Sequence, residues 1–286
     1  MCQFKSAIVV KDEREKNGFR LLMSPATESH SELEQHFKLK DGARLNYAKV
    51  EFSPKDFSTA HRVETYKLYI DEARTPDWFD EEIKTKVIEK MISYVKTLIV
   101  NDERKTLDGG QWILGPKSKI GIAKNVVINF LNGGTITNFE GGTIVNFNGG
   151  TITNFKGGTI ITQLVGGTIT NFEGGTIANF DDGTIANFDD GTIDHFWSGT
   201  ITCFYNGTIR HFDTGTIINL NGGTITNFKG GTIDHFWGGT VDHFWGGTIT
   251  NLRGGTINTL MGGTIDHFNY GTIVKDYRKS RFDNVL

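Results

Sequence analysis

Residues 215–230 read GTIINLNGGTITNFKG, which is two copies of one eight-residue unit. Gly-Thr pairs recur at this spacing from Gly134 to Gly271 and mark 18 units with the consensus G-G-T-I-x-N-F-x. Thr is present in all 18 units, and the next residue is Ile in every unit but one, where it is Val241. A fixed period of this kind is the signature of a repeat architecture in which stacked units share one core.

The unit itself indicates how the chain bends. Ile and the aromatic residue are three positions apart, whereas one straight strand alternates its faces with period two, so both can face inward only if the chain turns between them. The intervening slot holds mostly Asn or His, residue types enriched at positive φ, and we predict a corner there. The Gly pair predicts a second corner. The histidines of this slot are His195, His211, His235, His243 and His267.

One octad is too short to close a coil. Two octads give a four-sided coil of about 16 residues and three give a triangular coil of about 24, and we favour 16 because four large apolar residues can fill its core. The 18 units then form nine coils with Ile and Phe inside and Thr outside. The unit from Gly158 to Gly166 has nine residues, for which we predict a local bulge that leaves later coils in register.

The fold class is therefore mainly β: an octapeptide-repeat β-solenoid, or β-helix, with an N-terminal α+β domain. We place the N-terminal domain at residues 1–104, lead-in strands at 105–131, the solenoid at 132–276 and a C-terminal cap or tail at 277–286. An open solenoid leaves unpaired strand edges at each end, and both ends therefore need caps. Within the N-terminal domain, strand patterns cover residues 4–10, 19–23, 47–52 and 66–70.

Two helices are expected in the N-terminal domain. One starts after Ser31, where Ser31 and Glu34 fit a capping box. A longer helix follows Thr75-Pro76-Asp77. Its apolar face comprises Phe79, Ile83, Val87, Met91, Val95 and Leu98.

Composition excludes few function classes. The net charge of −3 selects neither nucleic acid nor a membrane as partner. The two cysteines, Cys2 and Cys203, do not make a disulfide framework. No signal peptide and no membrane-spanning run is recognised, so we expect a cytoplasmic protein without membrane contact.

The segments 1–9 (MCQFKSAIV) and 75–80 (TPDWFD), followed by octads, resemble a family of uncharacterised phage and bacterial proteins with an N-terminal domain and short tandem repeats. The resemblance implies no activity. In architecture the octads are also similar to pentapeptide-repeat and ice-nucleation solenoids, although the octad lacks the five-residue period of the first and the Ser/Thr-rich consensus of the second.

No catalytic constellation, metal-ligand spacing or cofactor motif is recognised, and we predict no enzyme, no metal and no cofactor. Two surfaces are candidates for binding. Residues 132–276 carry 12 Asp or Glu against 5 Lys or Arg, a net of −7, and the carboxylates concentrate in adjacent octads. Outward tryptophans occupy the slot before the Gly corner. The candidate residues are Asp181, Asp182, Asp189, Asp190, Asp194, Trp197, Trp237 and Trp245.

These surfaces favour a non-enzymatic solenoid that binds, and could inhibit, a macromolecular partner. A protein is the favoured partner, in a phage setting a host protein, with the acidic face acting as a nucleic-acid mimic; direct binding of nucleic acid is not expected, and a homo-oligomer is compatible with the sequence. An ice- or glycan-binding surface on the Thr and aromatic faces is the alternative, and a carbohydrate-active β-helix enzyme is a further one.

Overall fold

The computed structural model describes residues 4–24, 27–39, 46–72 and 74–278. The chain divides into two compact units, residues 1–100 and residues 101–286. The first is a small α+β unit, and a parallel β-solenoid of about 11 turns runs from residue 99 to residue 276. The fold class predicted from the sequence is confirmed.

The α+β unit is built on a four-stranded antiparallel sheet with strand order β2-β1-β3-β4. Its core includes Ile8 and Leu33, which are fully buried. Short 3-10 helices cover Phe57–Thr59 and Val63–Thr65. The strands are β1 (Lys5–Lys11), β2 (Phe19–Leu22), β3 (Tyr47–Pro54) and β4 (Tyr66–Ile70), and the helices are α1 (His30–His36) and α2 (Glu81–Leu98).

The start of α1 corrects the sequence prediction. Ser29, not Ser31, is the N-cap, and its side chain accepts a hydrogen bond from the backbone N–H of Glu32. Ser29 and Glu32 have the same capping-box spacing as Ser31 and Glu34, so spacing alone could not choose between the pairs. Glu34 instead accepts a hydrogen bond from the Tyr47 hydroxyl. Helix α2 begins after the N-cap Asp80.

The apolar face predicted for α2 is largely confirmed. Phe79, just before the helix, and Val87, Met91, Val95 and Leu98 are buried, whereas Ile83 is only half-buried.

The solenoid begins before the octads do. The segment predicted as lead-in strands forms parallel strands that pair with those of the first octads. This is why the solenoid has about 11 turns and not nine. Its strands are β5 (Ile99–Val100), β6 (Glu103–Asp108), β7 (Gln111–Leu114), β8 (Lys119–Lys124), β9 (Val126–Phe139), β10 (Gly142–Phe155), β11 (Thr159–Phe172), β12 (Thr176–Phe188), β13 (Thr192–Phe196), β14 (Thr200–Phe204), β15 (Thr208–Phe212), β16 (Thr216–Leu220), β17 (Thr224–Phe228), β18 (Thr232–Phe236), β19 (Thr240–Phe244), β20 (Thr248–Leu252), β21 (Thr256–Leu260), β22 (Thr264–Phe268) and β23 (Thr272–Asp276).

Two octads make one coil, as predicted. Ile177 pairs in parallel with Ile193, and Phe180 pairs with Phe196, which is a step of 16 residues. Ile and Phe are buried while Thr is partly exposed. Phe196 stacks between the rings of Phe180 and Phe212 at centroid distances of 4.7 and 4.6 Å. Each such aromatic pair contributes about 0.5–1.5 kcal/mol beyond the burial of its surface.

The corner predicted at the Asn or His slot is wrong in its conformation. Among the described residues, the only non-glycine residues at positive φ are Lys38 and Asn125, and neither lies in this slot. The slot pairs in register with its neighbours, and the ladder is interrupted instead at the preceding residue x. In several coils the carbonyl of x accepts a hydrogen bond from the Asn Nδ2 of the next coil, as between Thr202 and Asn219. Asn suits the slot because its amide satisfies a backbone group that the bend leaves unpaired.

The glycine corner is confirmed and lies at the second Gly of the pair. Gly199 has φ +100°, and a Cβ there would lie 2.7 Å from the carbonyl oxygen of Gly183 in the preceding coil. The first position is less restricted, because six units replace its Gly. The replacements are Asp182, Asp190, Ser198, Asn206, Thr214 and Tyr270.

The nine-residue unit forms the local bulge that was predicted. Ile144 pairs with Ile160 at a step of 16, and Asn146 then pairs with Gln163 at a step of 17. From Thr168, which pairs with Thr184, the 16-residue step resumes. The extra residue places the Ile161 side chain at the surface.

At the C-terminal end, Asp276 takes the place of the core aromatic residue and accepts hydrogen bonds from the Arg278 guanidinium. Phe268 in the last coils is 52% exposed. The predicted C-terminal cap extends to Leu286, and residues 279–286 lie outside the described part of the chain.

Candidate binding surface

The 16-residue coil sorts the outward side chains into columns. The strand segments that begin at Thr176, Thr192 and Thr208 stack in one ladder, and those that begin at Thr184, Thr200 and Thr216 stack in a second ladder half a coil away; β12 contributes one segment to each. The residue after the aromatic slot points outward in each. The first column contains Asp181, Trp197, Asp213, Lys229, Trp245, Met261 and Tyr277, and the second contains Glu140, Lys156, Glu173, Asp189, Tyr205, Asn221, Trp237, Arg253 and Asn269.

The three predicted tryptophans are exposed and each lies beside a histidine. Their exposed fractions are 46% for Trp197, 45% for Trp237 and 48% for Trp245. Each directly follows a strand and has a His two residues earlier, and in extended backbone residues two apart share a face. The His195 ring stacks on Trp197 with a centroid distance of 5.6 Å and an interplanar angle of 14°. The corresponding rings beside Trp237 and Trp245 lie 5.8 and 6.1 Å away.

The pairing of His with outward Trp is visible in the sequence as D-H-F-W at 194–197, 234–237 and 242–245, and sequence reasoning missed it. The signal in the sequence is that His and the outward Trp occur together in three units. It was missed because His in this slot was attributed to a corner. The stack restricts the rotamers of a large exposed side chain and so reduces the entropy that binding would cost.

The first column places an ion pair between two tryptophans. Asp213 and Lys229 follow Trp197 in successive coils and form an ion pair of 2.8 Å, and Trp245 is the next residue in the column. Trp197 and Trp245 are three coils apart, which corresponds to about 14 Å at the usual strand spacing. The column therefore presents two apolar platforms separated by a polar patch.

The second column also combines aromatic and charged side chains. The Arg253 guanidinium lies over the Trp237 ring at 4.9 Å from its centroid. Tyr205 is 48% exposed and occupies the same column two coils earlier. A hydrogen bond with the Cys203 thiol raises the pKa of the Tyr205 phenol, with a further contribution from the charge of Asp189. The phenol is therefore neutral at physiological pH.

The five predicted carboxylates are not collected on one face. Asp181 and Asp182 lie at the corner inside β12, between its first-ladder part and its second-ladder part, whereas Asp189 and Asp190 lie at the next corner, half a coil away. Asp182 and Asp190 each accept a hydrogen bond from the backbone N–H of the following Gly, at 2.7 Å in both cases. Asp194 forms an ion pair with Arg210 of the next coil. Three of the five carboxylates thus have local partners.

The bulge creates a small cleft beside one of the tryptophans. Its volume is about 250 Å³, and Trp197 forms one wall. Trp197 Nε1 donates a long hydrogen bond of 3.5 Å to Asn179 Oδ1, while Asn179 Nδ2 donates to the carbonyl of Thr162. The other lining residues are Gln163 and Asp181.

The five repeat histidines do not form one row. His195 and His211 are adjacent in the first ladder, with ring centroids 4.7 Å apart, and Asn227 separates them from His243. The other two belong to the second ladder, where Asn251 lies between them. Asn ladders explain the same slot elsewhere: Asn154 Nδ2 donates to Asn138 Oδ1 at 2.9 Å.

Comparison with protein-family models, with curated proteins and with solved structures finds no match. The resemblance to a phage and bacterial repeat family therefore stays a prediction. Within the described ranges, no helix has the length and apolar composition required to cross a membrane.

Proposed function

We propose that this protein is a non-enzymatic β-solenoid that binds a macromolecular partner, most directly another protein, through the aromatic side chains of its two outward columns. The observation that carries the proposal is the set of three tryptophans, each nearly half exposed and each beside a histidine ring. Large exposed aromatic residues are uncommon on a surface without a binding role. Trp is also the residue type most enriched among those that dominate binding energy.

The spacing within the first column suits an extended segment of a partner. Trp197 and Trp245 lie about 14 Å apart, and about four residues of an extended chain span that distance. Two large apolar side chains at that separation would each meet one platform, and the Asp213–Lys229 pair would face polar groups between them. This arrangement has an apolar anchor at each end and a polar middle.

The finer form of the proposal adds inhibition of a host protein in a phage setting, with the acidic face in the place of nucleic acid. The carboxylates support this form less than the aromatic columns do, because they divide between two turns and three of them have local partners. The salt dependence of binding separates the two forms. Binding through the acidic face should weaken as ionic strength rises, since exposed charges are screened within about 8–10 Å at physiological ionic strength.

The test is quantitative capture from an extract of the native host on the immobilised full chain. One variant combines Trp197→Ala, Trp237→Ala and Trp245→Ala. Its matched control replaces three residues of the same outward slot and combines Asn221→Ala, Met261→Ala and Asn269→Ala. A partner retained by the wild type and the control but lost with the tryptophan variant supports the proposal. Equal capture by all three proteins contradicts it.

Glycan binding is a second candidate, favoured by the cleft at the bulge. One aromatic wall, two amide side chains and one carboxylate can stack on a sugar ring and bond to its hydroxyl groups. Ice binding has less support, because the Asp194–Arg210 pair interrupts the uncharged surface beside the Thr ladder. For the carbohydrate-active enzyme, hydrolysis generally needs a pair of carboxyl groups about 5–9.5 Å apart, whereas Asp181 is the one carboxylate among the described residues that line the cleft.

A glycan array tests the second candidate. The variant that lacks Ile161 restores the octad and is expected to close the cleft, while Trp237→Ala removes a tryptophan outside it. Glycan binding that is lost with the deletion and retained in Trp237→Ala supports a sugar site. No glycan bound by the wild type contradicts it.

A further inference from the structure

A cluster of potential metal ligands lies in the α+β unit, far in sequence from the octads. It comprises His30 at the start of α1, Glu51 in β3 and Asp71 directly after β4. Each residue offers one ligand atom, and these atoms all lie within 4.8 Å of one another. Sequence spacing could not reveal the cluster, because it is assembled from three separate elements.

The histidine of this cluster is held in one tautomer when it is neutral. His30 is 5% exposed, and its Nε2 lies 3.0 Å from the carbonyl oxygen of Val50. A carbonyl oxygen only accepts hydrogen bonds, so Nε2 carries the proton and Nδ1 presents its lone pair. A histidine that ligates a metal characteristically donates its other ring N–H to a carbonyl or carboxylate in this way.

The lone pair on Nδ1 faces negative charge. Asp71 Oδ2 lies 2.9 Å from His30 Nδ1, and Glu51 adds a second carboxylate. The backbone of Asp71 is held in place by a hydrogen bond, because its N–H donates to the carbonyl of Lys49 at 3.0 Å. Lys49 itself forms an ion pair with Glu34 at 2.9 Å. Two carboxylates and an imidazole converge here, and a cation bound between them would offset the carboxylate charge.

We infer that His30, Glu51 and Asp71 form a binding site for a divalent first-row transition ion of the zinc type. Imidazole nitrogen together with carboxylate oxygen is a ligand set that this class of ion accepts. Tetrahedral ligands at the usual bond lengths lie about 3.4 Å apart. The His30–Asp71 separation is 2.9 Å and the ligand atoms all lie within 4.8 Å of one another, so small side-chain rotations would complete the site. Three protein ligands leave a coordination position for water.

Titration of the full chain with Zn²⁺ by calorimetry tests the inference. A background of Cys2→Ser with Cys203→Ser removes the competing thiols. Asp71→Asn is the principal variant, because the side chain is 57% exposed and its replacement keeps the shape. His36→Asn, on the exposed end of the same helix, is the matched control. We expect one Zn²⁺ bound, with affinity at least about tenfold lower in Asp71→Asn and unchanged in His36→Asn.

His30→Asn provides the second variant, and circular dichroism confirms that each variant is folded. An Asp71→Asn variant that binds Zn²⁺ as tightly as its background overturns the inference. So does a background protein that binds no Zn²⁺. In either case the 2.9 Å contact between His30 and Asp71 is a structural contact of the α+β unit and not a pair of metal ligands. Mg²⁺ titrated in parallel should bind much more weakly, because imidazole is a poor ligand for it.

Discussion

The stack of aromatic rings inside the first ladder makes stability depend on position along the rod. Phe196 is fully buried, with a ring on each side at 4.7 and 4.6 Å. Replacing a buried Phe by Ala costs about 3–5 kcal/mol, from lost transfer free energy and the cavity that remains. Because two ring contacts disappear with it, we expect Phe196→Ala to lower the free energy of unfolding by about 4 kcal/mol.

Phe268 is the matched control, since it occupies the same slot of the octad but is 52% exposed. Full burial of a Phe is worth about 1.5–3 kcal/mol, so Phe268→Ala is expected to cost about 1 kcal/mol. Urea denaturation of the full chain, followed by the fluorescence of the solenoid tryptophans, measures both. A difference of less than about 1 kcal/mol between the two variants would refute the stacked-core account.

Two further predictions concern the corner and the bend. Gly199→Ala should destabilise by at least about 2 kcal/mol, because its φ is left-handed and a Cβ would meet the carbonyl of the preceding coil. Asn206→Ala, at the exposed and tolerant first position of the next unit, should cost under about 0.5 kcal/mol by the same urea assay. His235 Nδ1 is buried without a hydrogen-bond partner. His235→Asn should therefore keep the fold and raise the free energy of unfolding by about 0.5–1.5 kcal/mol through a new amide–carbonyl bond; a variant of lower stability would show that the tilted ring contact with Trp237 matters more.

The fold could be predicted from the sequence because the residues that determine it recur within every octad. The three-residue offset of Ile and Phe, the Gly pair and the invariant Thr are local features, and stacking repeats them. The 16-residue coil follows from how much apolar volume closes a narrow core. The reason given for the Asn slot was wrong, because its role is a hydrogen bond to the neighbouring coil, as Asn219 makes to Thr202. That partner is 17 residues away and is invisible within one unit.

The candidate sites were predictable only in part. The outward slot of Trp197, Trp237 and Trp245 follows from strand alternation and is confirmed by their exposure. The grouping of carboxylates was not predictable by proximity in sequence, because Asp181 and Asp189 fall in different ladders once two octads close a coil. Beyond the repeat, the His30 cluster depends on how a helix start meets two strands, which no local pattern in the sequence specifies.

We propose that the aromatic columns, not the carboxylates, provide the main binding energy for the partner. Surface plasmon resonance with the captured partner tests it most directly, comparing the triple tryptophan variant with a variant in which Asp181, Asp182, Asp189 and Asp190 are changed to Asn. We predict at least about 30-fold faster dissociation for the tryptophan variant, the size expected when dominant contacts are removed. The Asn variant should associate within about twofold of the wild-type rate at low and moderate salt. Slower association of the Asn variant together with unchanged dissociation of the tryptophan variant would contradict the account.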